Sequence, residues 1–236
     1  MWSKVNDSYY MTDKQVLFVC ATPDDKQTFE RTSTFWKSIC NRPEIDYKIH
    51  FSNTVGLSQL YNRTIDDVGC LYDYVVFVHD DLSIEDAFVI EKLKVAHQQY
   101  DVVGLAGGKN IDANFQAPLW HIMSKQKHGA VAHPTEKDGS LTVAAFGSTP
   151  AECDLIDGLF ISVDVKKARE KGARFNDDML FHFYDLAFCM NARKAGLKIG
   201  VWPIWTVHQG LGDSYNSTAW RECAMKFVRQ YYPARL

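Results

Sequence analysis

The stretch YVVFVHDDL (residues 74–82) changes character at His79. Tyr74 to Val78 are β-branched or aromatic throughout, the pattern of a strand buried on both faces. His79, Asp80 and Asp81 follow at once. Burying unpaired carboxylates is costly, so the chain has here reached either water or a cation. An alternation of short apolar strands and amphipathic helices spreads outward from this point. QVLFVCA (15–21) and YKIHF (47–51) read as strands. Residues 24–40 carry Phe29, Trp36 and Ile39 on a helix that starts near Asp24 or Asp25. Residues 56–68 place Leu57, Leu60, Tyr61, Thr64 and Ile65 at helical spacing. Residues 85–99 form another helix, and DVVGLAGG (101–108) a strand closed by glycines. Strands alternating with helices over short loops predict an α/β fold, with a central, mostly parallel mixed sheet flanked by helices.

Beyond Gly108 the pattern loosens. Residues 109–152 read as a variable region of surface loops, with one hairpin near SLTVAAF. DLIDGLFISVD (154–164) is a strand. LAFCMNARKAG (186–196) is a helix stopped by Gly196, with Arg193 and Lys194 in its last turn. KIGVWPIWTVH (198–208) is strand-like but broken by Pro203, which predicts an edge position. YNSTAWRECAMKFVRQYY (215–232) is a final amphipathic helix. No linker divides the halves, so 1–236 reads as one domain with a polar segment at 1–14.

The chain has 236 residues, 46% of them hydrophobic, enough to bury a substantial core. A net charge of −3 without a long basic run argues against affinity for nucleic-acid backbone. The N-terminus, MWSKVNDSYYMTDKQ, lacks the apolar run of a signal peptide. No stretch approaches the ~18 apolar residues of a membrane span. Cys20, Cys40, Cys70, Cys153, Cys189 and Cys223 are scattered without a CxxC pair, which suits a reducing cytoplasm.

In open α/β sheets ligands bind at the carboxyl ends of the strands. His79 to Asp81, Cys20 to Pro23, Ser52 to Gly56 and the glycines of 104–108 all lie at such ends. Carboxylate oxygens suit Mg²⁺ or Mn²⁺, which commonly bridge to phosphate. An Asp-Asp pair by itself serves equally well as a turn former or N-cap. Asp185, directly before Leu186, could likewise cap the following helix, worth about 1 kcal/mol. His208 reads as a loop histidine as readily as a ligand. Trp120, Trp202 and Trp205 read as core, His121, His128 and His133 as solvated, and Asp177 and Asp178 as a turn.

The order of these pieces is more telling than any one of them. A strand, GLSQLYN, a strand ending in an acidic motif, DGLF, FYD before a helix and then a later histidine resemble the glycosyltransferases of the GT-A fold. The likeness is to the family 2 type and its bacterial relatives whose acidic motif opens with histidine, and it spans roughly residues 15–210. The resemblance implies that Cys20, Ala21 and Thr22 hold the nucleoside, although the usual Pro-Thr-Tyr-Asn turn is replaced here by CATP. Asn53 falls at the base, and Gly56, Leu57 and Asn62 match the helix that follows. His79-Asp80-Asp81 stands for the D-x-D motif. His79 and Asp80 then fall on the nucleotide and Asp81 is the metal ligand. Asp157 and Gly158 lie near the sugar and acceptor, Asp185 is the catalytic base, and His208 is a second metal ligand. The implied activity is a cytoplasmic, Mn²⁺- or Mg²⁺-dependent transfer of a sugar from a nucleotide-diphospho-sugar, UDP by resemblance. The acceptor hydroxyl belongs to a glycan, a lipid-linked or another acceptor, and the anomeric centre inverts. Two competing classes are a metal-dependent phosphohydrolase built on the His-Asp-Asp motif and His208, and a non-catalytic nucleotide- or sugar-binding domain.

Overall fold

The computed structural model describes residues 16–68, 71–112, 114–135, 140–210 and 217–235. The chain runs β1 (Val16–Ala21), α1 (Lys26–Thr32), α2 (Thr34–Ile39), β2 (Asp46–His50), α3 (Leu57–Val68), β3 (Tyr74–Val78), β4 (Leu82–Ile84), α4 (Val89–Ala96), β5 (Val102–Gly104) and β6 (Ala106–Ile111). It continues with α5 (Trp120–Met123), β7 (Ser124–Pro134), β8 (Leu141–Gly147), β9 (Ala151–Cys153), β10 (Leu155–Ile156), β11 (Phe160–Asp164), α6 (Val165–Glu170), α7 (Tyr184–Lys194), β12 (Ile199–Val201), β13 (Thr206–His208) and α8 (Thr218–Tyr231). The central sheet has the order β2-β1-β3-β11-β5-β12-β9, and a second sheet the order β10-β6-β7-β13-β4 with β8 alongside β7.

β3 is buried along its whole length, as its β-branched and aromatic composition requires. It runs parallel to β1, with Cys20 opposite Val78. It runs antiparallel to β11, with Phe160 also opposite Val78. That mixed pairing decides what surrounds the end of β3. The segment before β11 arrives where β3 stops, and the His79 amide donates to the Leu159 carbonyl at 3.1 Å. In the second sheet, β13 pairs antiparallel with β4 and sets His208 opposite Leu82. The Gln209 amide then donates to the Asp81 carbonyl at 3.0 Å. Two chain segments distant in sequence are thus tied by backbone to His79 and Asp81.

The helices cover the sheet through apolar faces. α3 buries Leu57, Leu60, Tyr61 and Ile65, and the Tyr61 ring stacks on Phe77 at 4.1 Å. Phe175 meets Phe77 edge-on at 5.3 Å and stacks on Phe188 of α7 at 4.1 Å, which joins α7 to the same core.

Several expectations change. The helix expected over 24–40 is divided at Ser33, which ends α1 and caps α2. Residues 109–152 are not mainly loops: β6, β7 and β8 form an antiparallel meander, with the expected hairpin as β7–β8. Nearly every residue of β8 is exposed, so it lacks the alternation that marks a half-buried strand. The strands expected over 101–108 and 154–164 are each divided between the two sheets. Pro203 marks no edge strand. β12 lies between β5 and β9 and β13 between β7 and β4, with Pro203 in the crossing where no ladder donor is needed. Trp205 is 45% exposed rather than core. Residues 1–14 and 215–216 lie outside the described residues.

Ser33 links the helices to the acidic strand end. Its Oγ accepts from the Trp36 amide at 3.1 Å and donates to the Asp80 carbonyl at 2.6 Å. Ser33→Ala removes a cap and leaves that carbonyl one partner short. The expected loss is about 1–2 kcal/mol of unfolding free energy by urea titration. An unchanged midpoint would show that neither bond matters.

Candidate active site

Tyr184, the first residue of α7, organises the end of β3. Its hydroxyl donates to the Gly158 carbonyl at 2.9 Å. A phenol has one proton, so toward His79, whose Nε2 lies 2.8 Å away, it accepts. Nε2 therefore carries the imidazole proton, and Nδ1 turns a lone pair toward Asp81 Oδ1, 3.9 Å away. Burial lowers the His79 pKa, with Asp81 and Asp157 pulling the other way, which favours the neutral ring. On the far side His208 Nε2 lies 3.2 Å from Asp81 Oδ2. Burial alone would raise the Asp81 pKa, but the hydrogen bond and charge of His208 and the charge of His79 bring it below its ordinary value. Asp81 Oδ1 is buried and has no hydrogen-bond partner among the described residues. One ligand atom from each of His79, Asp81 and His208 lies within 4.8 Å of the others. An orphaned carboxylate oxygen facing an imidazole lone pair is what a divalent cation would satisfy.

Asp185 stands next to Tyr184. The N-cap position of α7 belongs to Phe183, which makes no side-chain cap bond. Phe183 has φ 63°, a left-handed conformation costly for a bulky residue. Its ring is held between Trp220, at 5.1 Å, and Phe227, at 5.5 Å. This tight turn delivers Asp185 to the same edge as His79. Burial, and then the charge of Asp157, raise the Asp185 pKa to about 7, partly offset by the amides of Leu186, Asp185 and Gly158. Asp157 is itself held at both oxygens. Trp120 Nε1 donates to Oδ2 at 2.8 Å and the Leu159 amide to Oδ1 at 3.0 Å. Between the two acids, Gly158 has to be glycine. A Cβ there would stand 2.6 Å from Tyr184 Oη and 3.2 Å from Asp185 Cβ.

His79, Asp81, Asp157, Gly158, Asp185 and His208 all border one cavity of about 820 Å³. The other residues singled out from sequence lie elsewhere. Cys20 is wholly buried, its thiol pushed far up by burial and by the charges of Asp80 and Asp81. A residue so enclosed touches no nucleoside. Ala21 and Thr22 continue β1 past the buried strand and lie at the carboxyl edge beside His79, given the β1–β3 register. Thr22 is buried, with Oγ1 accepting from the Asp24 amide at 3.3 Å. The Asn53 side chain is closed on the backbone of Val55. Asp80 does not border the cavity, and its carbonyl is held by Ser33 and Phe35.

Gly56, Leu57 and Asn62 hold the approach to α7 instead of facing the cavity. The Leu57 amide donates to the Leu180 carbonyl at 2.7 Å. Asn62 is spent on the Phe175 backbone and on Asp177. Trp120, His133 and Gly210 border the cavity without having been expected there. Trp120 is buried as core reasoning suggests, but its indole N–H serves Asp157. His133, expected in solvent, lies 5.3 Å from the His208 ring. His121 also borders the cavity and is partly buried. These residues meet across sheets, and no local motif announces them.

With this geometry in place, comparison with known proteins is direct. Residues 19–231 match a family described as "Glycosyltransferase like family". The chain belongs to that glycosyltransferase-like family, with a mixed α/β fold in which helices flank a central mixed sheet. It is a glycosyltransferase. No curated protein matches it. The crystal structure of A197 from STIV is similar with a TM-score of 0.48 at 11% identity, over 79% of this chain and 81% of that one, too distant to argue from.

Gly210 tests the cluster without touching a ligand atom. A Cβ there would stand 2.7 Å from Asp81 Oδ2 and 2.8 Å from His208 Nε2. Gly210→Ala is expected to weaken Mn²⁺ binding about 10- to 100-fold by calorimetry, as displaced supporting shells do, with an almost unchanged melting temperature. Wild-type affinity in the variant would show that these three side chains hold no ion.

Proposed function

We propose that the protein transfers a sugar from a nucleotide-diphospho-sugar, with UDP as the nucleotide, to an acceptor hydroxyl, inverting the anomeric centre. The observation that carries this is the meeting, on one cavity, of a carboxyl whose pKa is raised to about 7 and a carboxylate–imidazole cluster suited to a divalent cation. Asp81 and His208 would hold the ion, and His79 joins them through Nδ1 instead of serving the nucleotide. Two imidazoles suit Mg²⁺ poorly, since it prefers oxygen ligands and its own waters, so Mn²⁺ is the ion of choice. When bound, the ion supplies positive charge that stabilises the departing diphosphate.

The chain's own groups do the rest. Ala21 and Asn53, partly exposed at the carboxyl ends of β1 and β2, would face the nucleoside, whereas Thr22 is as enclosed as Cys20. Asp185 accepts the proton of the acceptor hydroxyl as that oxygen attacks C1, and the bond from C1 to the diphosphate oxygen breaks. With its pKa near the working pH, Asp185 is ionised often enough to act and basic enough to take the proton. Burial, and then the charge of Asp157, hold Asp185 in that range. Tyr184 keeps His79 in the tautomer that leaves Nδ1 free.

No helix among the described residues is long and apolar enough to cross a membrane. Cys20, Cys40, Cys153, Cys189 and Cys223 are free thiols, which suits a cytoplasmic setting.

Asp185→Asn keeps the shape but accepts no proton. Transfer at saturating donor is expected to fall about 10²- to 10⁴-fold, with UDP affinity unchanged. In the wild type kcat/KM should rise with pH through about 7, because only the ionised form is a base, and the variant should lack that limb. Activity within a few-fold of wild type with the limb intact would remove Asp185 from the chemistry. The raised pKa also means that the folded chain holds this proton more tightly than the unfolded one. Ionised Asp185 therefore costs stability above about pH 7, and the cost vanishes as pH falls below the unfolded value. The Asn variant should accordingly melt higher than wild type at pH 8, by a margin that narrows in acid; equal melting at pH 8 would contradict the shift.

Asp81→Ala should abolish the Mn²⁺ dependence of UDP binding measured by calorimetry. A variant that retains it binds its ion elsewhere.

A further inference from the structure

We propose that the cavity receives the acceptor as a neutral saccharide, its hydroxyls taken by Asp157 and its ring lying against the aromatic wall. This rests on the transferase reading above and narrows its acceptor.

Charge is the first argument. Asp81, Asp157 and Asp185 border the cavity, and among the described residues no lysine or arginine does. His121, His133 and His182 also border it, and burial lowers all three pKa values, which disfavours any charge that would offset the carboxylates. The cation that the His79 cluster would hold is matched to the donor diphosphate. A second anion, such as a sugar phosphate or a uronate, would face carboxylates with no cationic side chain to receive it.

Geometry is the second. An ionised carboxylate only accepts hydrogen bonds, and each of its oxygens has two lone-pair sites. Trp120 Nε1 and the Leu159 amide occupy one site on each oxygen of Asp157 and fix its plane. The remaining sites suit a pair of neighbouring hydroxyl donors. Both anchors are N–H groups of buried or partly buried residues, so the carboxylate is set in place before a ligand arrives, which lowers the cost of ordering it.

The wall is the third. Trp120, Phe146, Phe181, Phe183 and Trp220 line the same space. Phe181 is 64% exposed, so its ring is open to a ligand in that space. A pyranose offers an apolar C–H face and a rim of hydroxyls, and aromatic rings beside a fixed acceptor match both. A lipid chain would leave Asp157 unused, and a phosphate would be repelled by it.

The test uses the whole chain with methyl glycosides of neutral hexoses, the matching methyl glucuronide and glucose 6-phosphate, by saturation-transfer NMR and calorimetry. UDP with Mn²⁺ is titrated into the same samples. The expected result is transfer to the ring C–H protons of at least one neutral glycoside, with anionic counterparts at least about tenfold weaker. Asp157→Asn should weaken the neutral glycoside about tenfold and narrow the gap to the anionic ones. Trp120→Phe keeps a ring but loses the N–H, and should weaken the neutral glycoside while the protein still melts cooperatively and binds UDP. Preference for the phosphate or the uronate, absence of transfer to every neutral glycoside, or wild-type sugar affinity in Asp157→Asn would overturn the proposal. Mn²⁺-dependent UDP binding alongside any of these leaves the transferase reading standing. Loss of UDP binding in the wild type overturns that reading and the acceptor assignment with it.

Discussion

Tyr184 can give away one proton, and it gives it to the carbonyl of Gly158. From that follow the tautomer of His79, the lone pair aimed at Asp81 and the tie between β3 and α7. The rest of the site is arranged around this constraint. Gly158 has no side chain because Tyr184 and the first turn of α7 occupy the space a Cβ would need. Phe183 takes a left-handed conformation because α7 has to begin where it does, and its ring is packed to hold that turn. Asp185 follows one residue later and so inherits its position from a hydrogen bond it does not make.

Topology does the gathering. A purely parallel sheet would bring only strand ends to this edge. Because β11 runs against β3, the start of a strand arrives there too, with Asp157 and Gly158 just ahead of it. Because β13 pairs antiparallel with β4 in the second sheet, His208 meets Asp81 although well over a hundred residues separate them. The acids are kept apart in behaviour by their surroundings. Asp81 is lowered by two imidazoles, whereas Asp185 is raised by burial and by Asp157. Opposite shifts in neighbouring acids are the arrangement that lets one side hold positive charge while the other accepts a proton.

The parts of this that could be read from sequence share a physical cause. β1, β3 and α3 are buried deeply enough that composition and period have to agree with structure. Asp81 drew attention because it follows such a strand, whereas Asp157, Asp185 and His208 were singled out only through the resemblance in the order of the motifs. β8 could not be read, since a strand exposed along most of its length imposes no alternation, and β7 mixes buried and exposed residues without a regular period of two. Trp120 and Gly210 were invisible for a different reason. Their importance lies in a contact with another element, 2.8 Å from an indole to Asp157 and a missing Cβ beside Asp81, and nothing near them in sequence encodes it. Gly56, Leu57 and Asn62 were conspicuous as a motif, yet in this chain they secure the loop before α7. They support the site's frame and do not form its lining.

Whether His79, Asp81 and His208 form one cation site is tested most directly by electron spin-echo envelope modulation on the Mn²⁺-loaded protein, with histidine labelled with ¹⁵N. The expected result is coupling of the bound Mn²⁺ to two imidazole nitrogens, reduced to one in His79→Ala and in His208→Ala separately. Bound Mn²⁺ without nitrogen coupling, or coupling untouched by either substitution, would contradict a shared site.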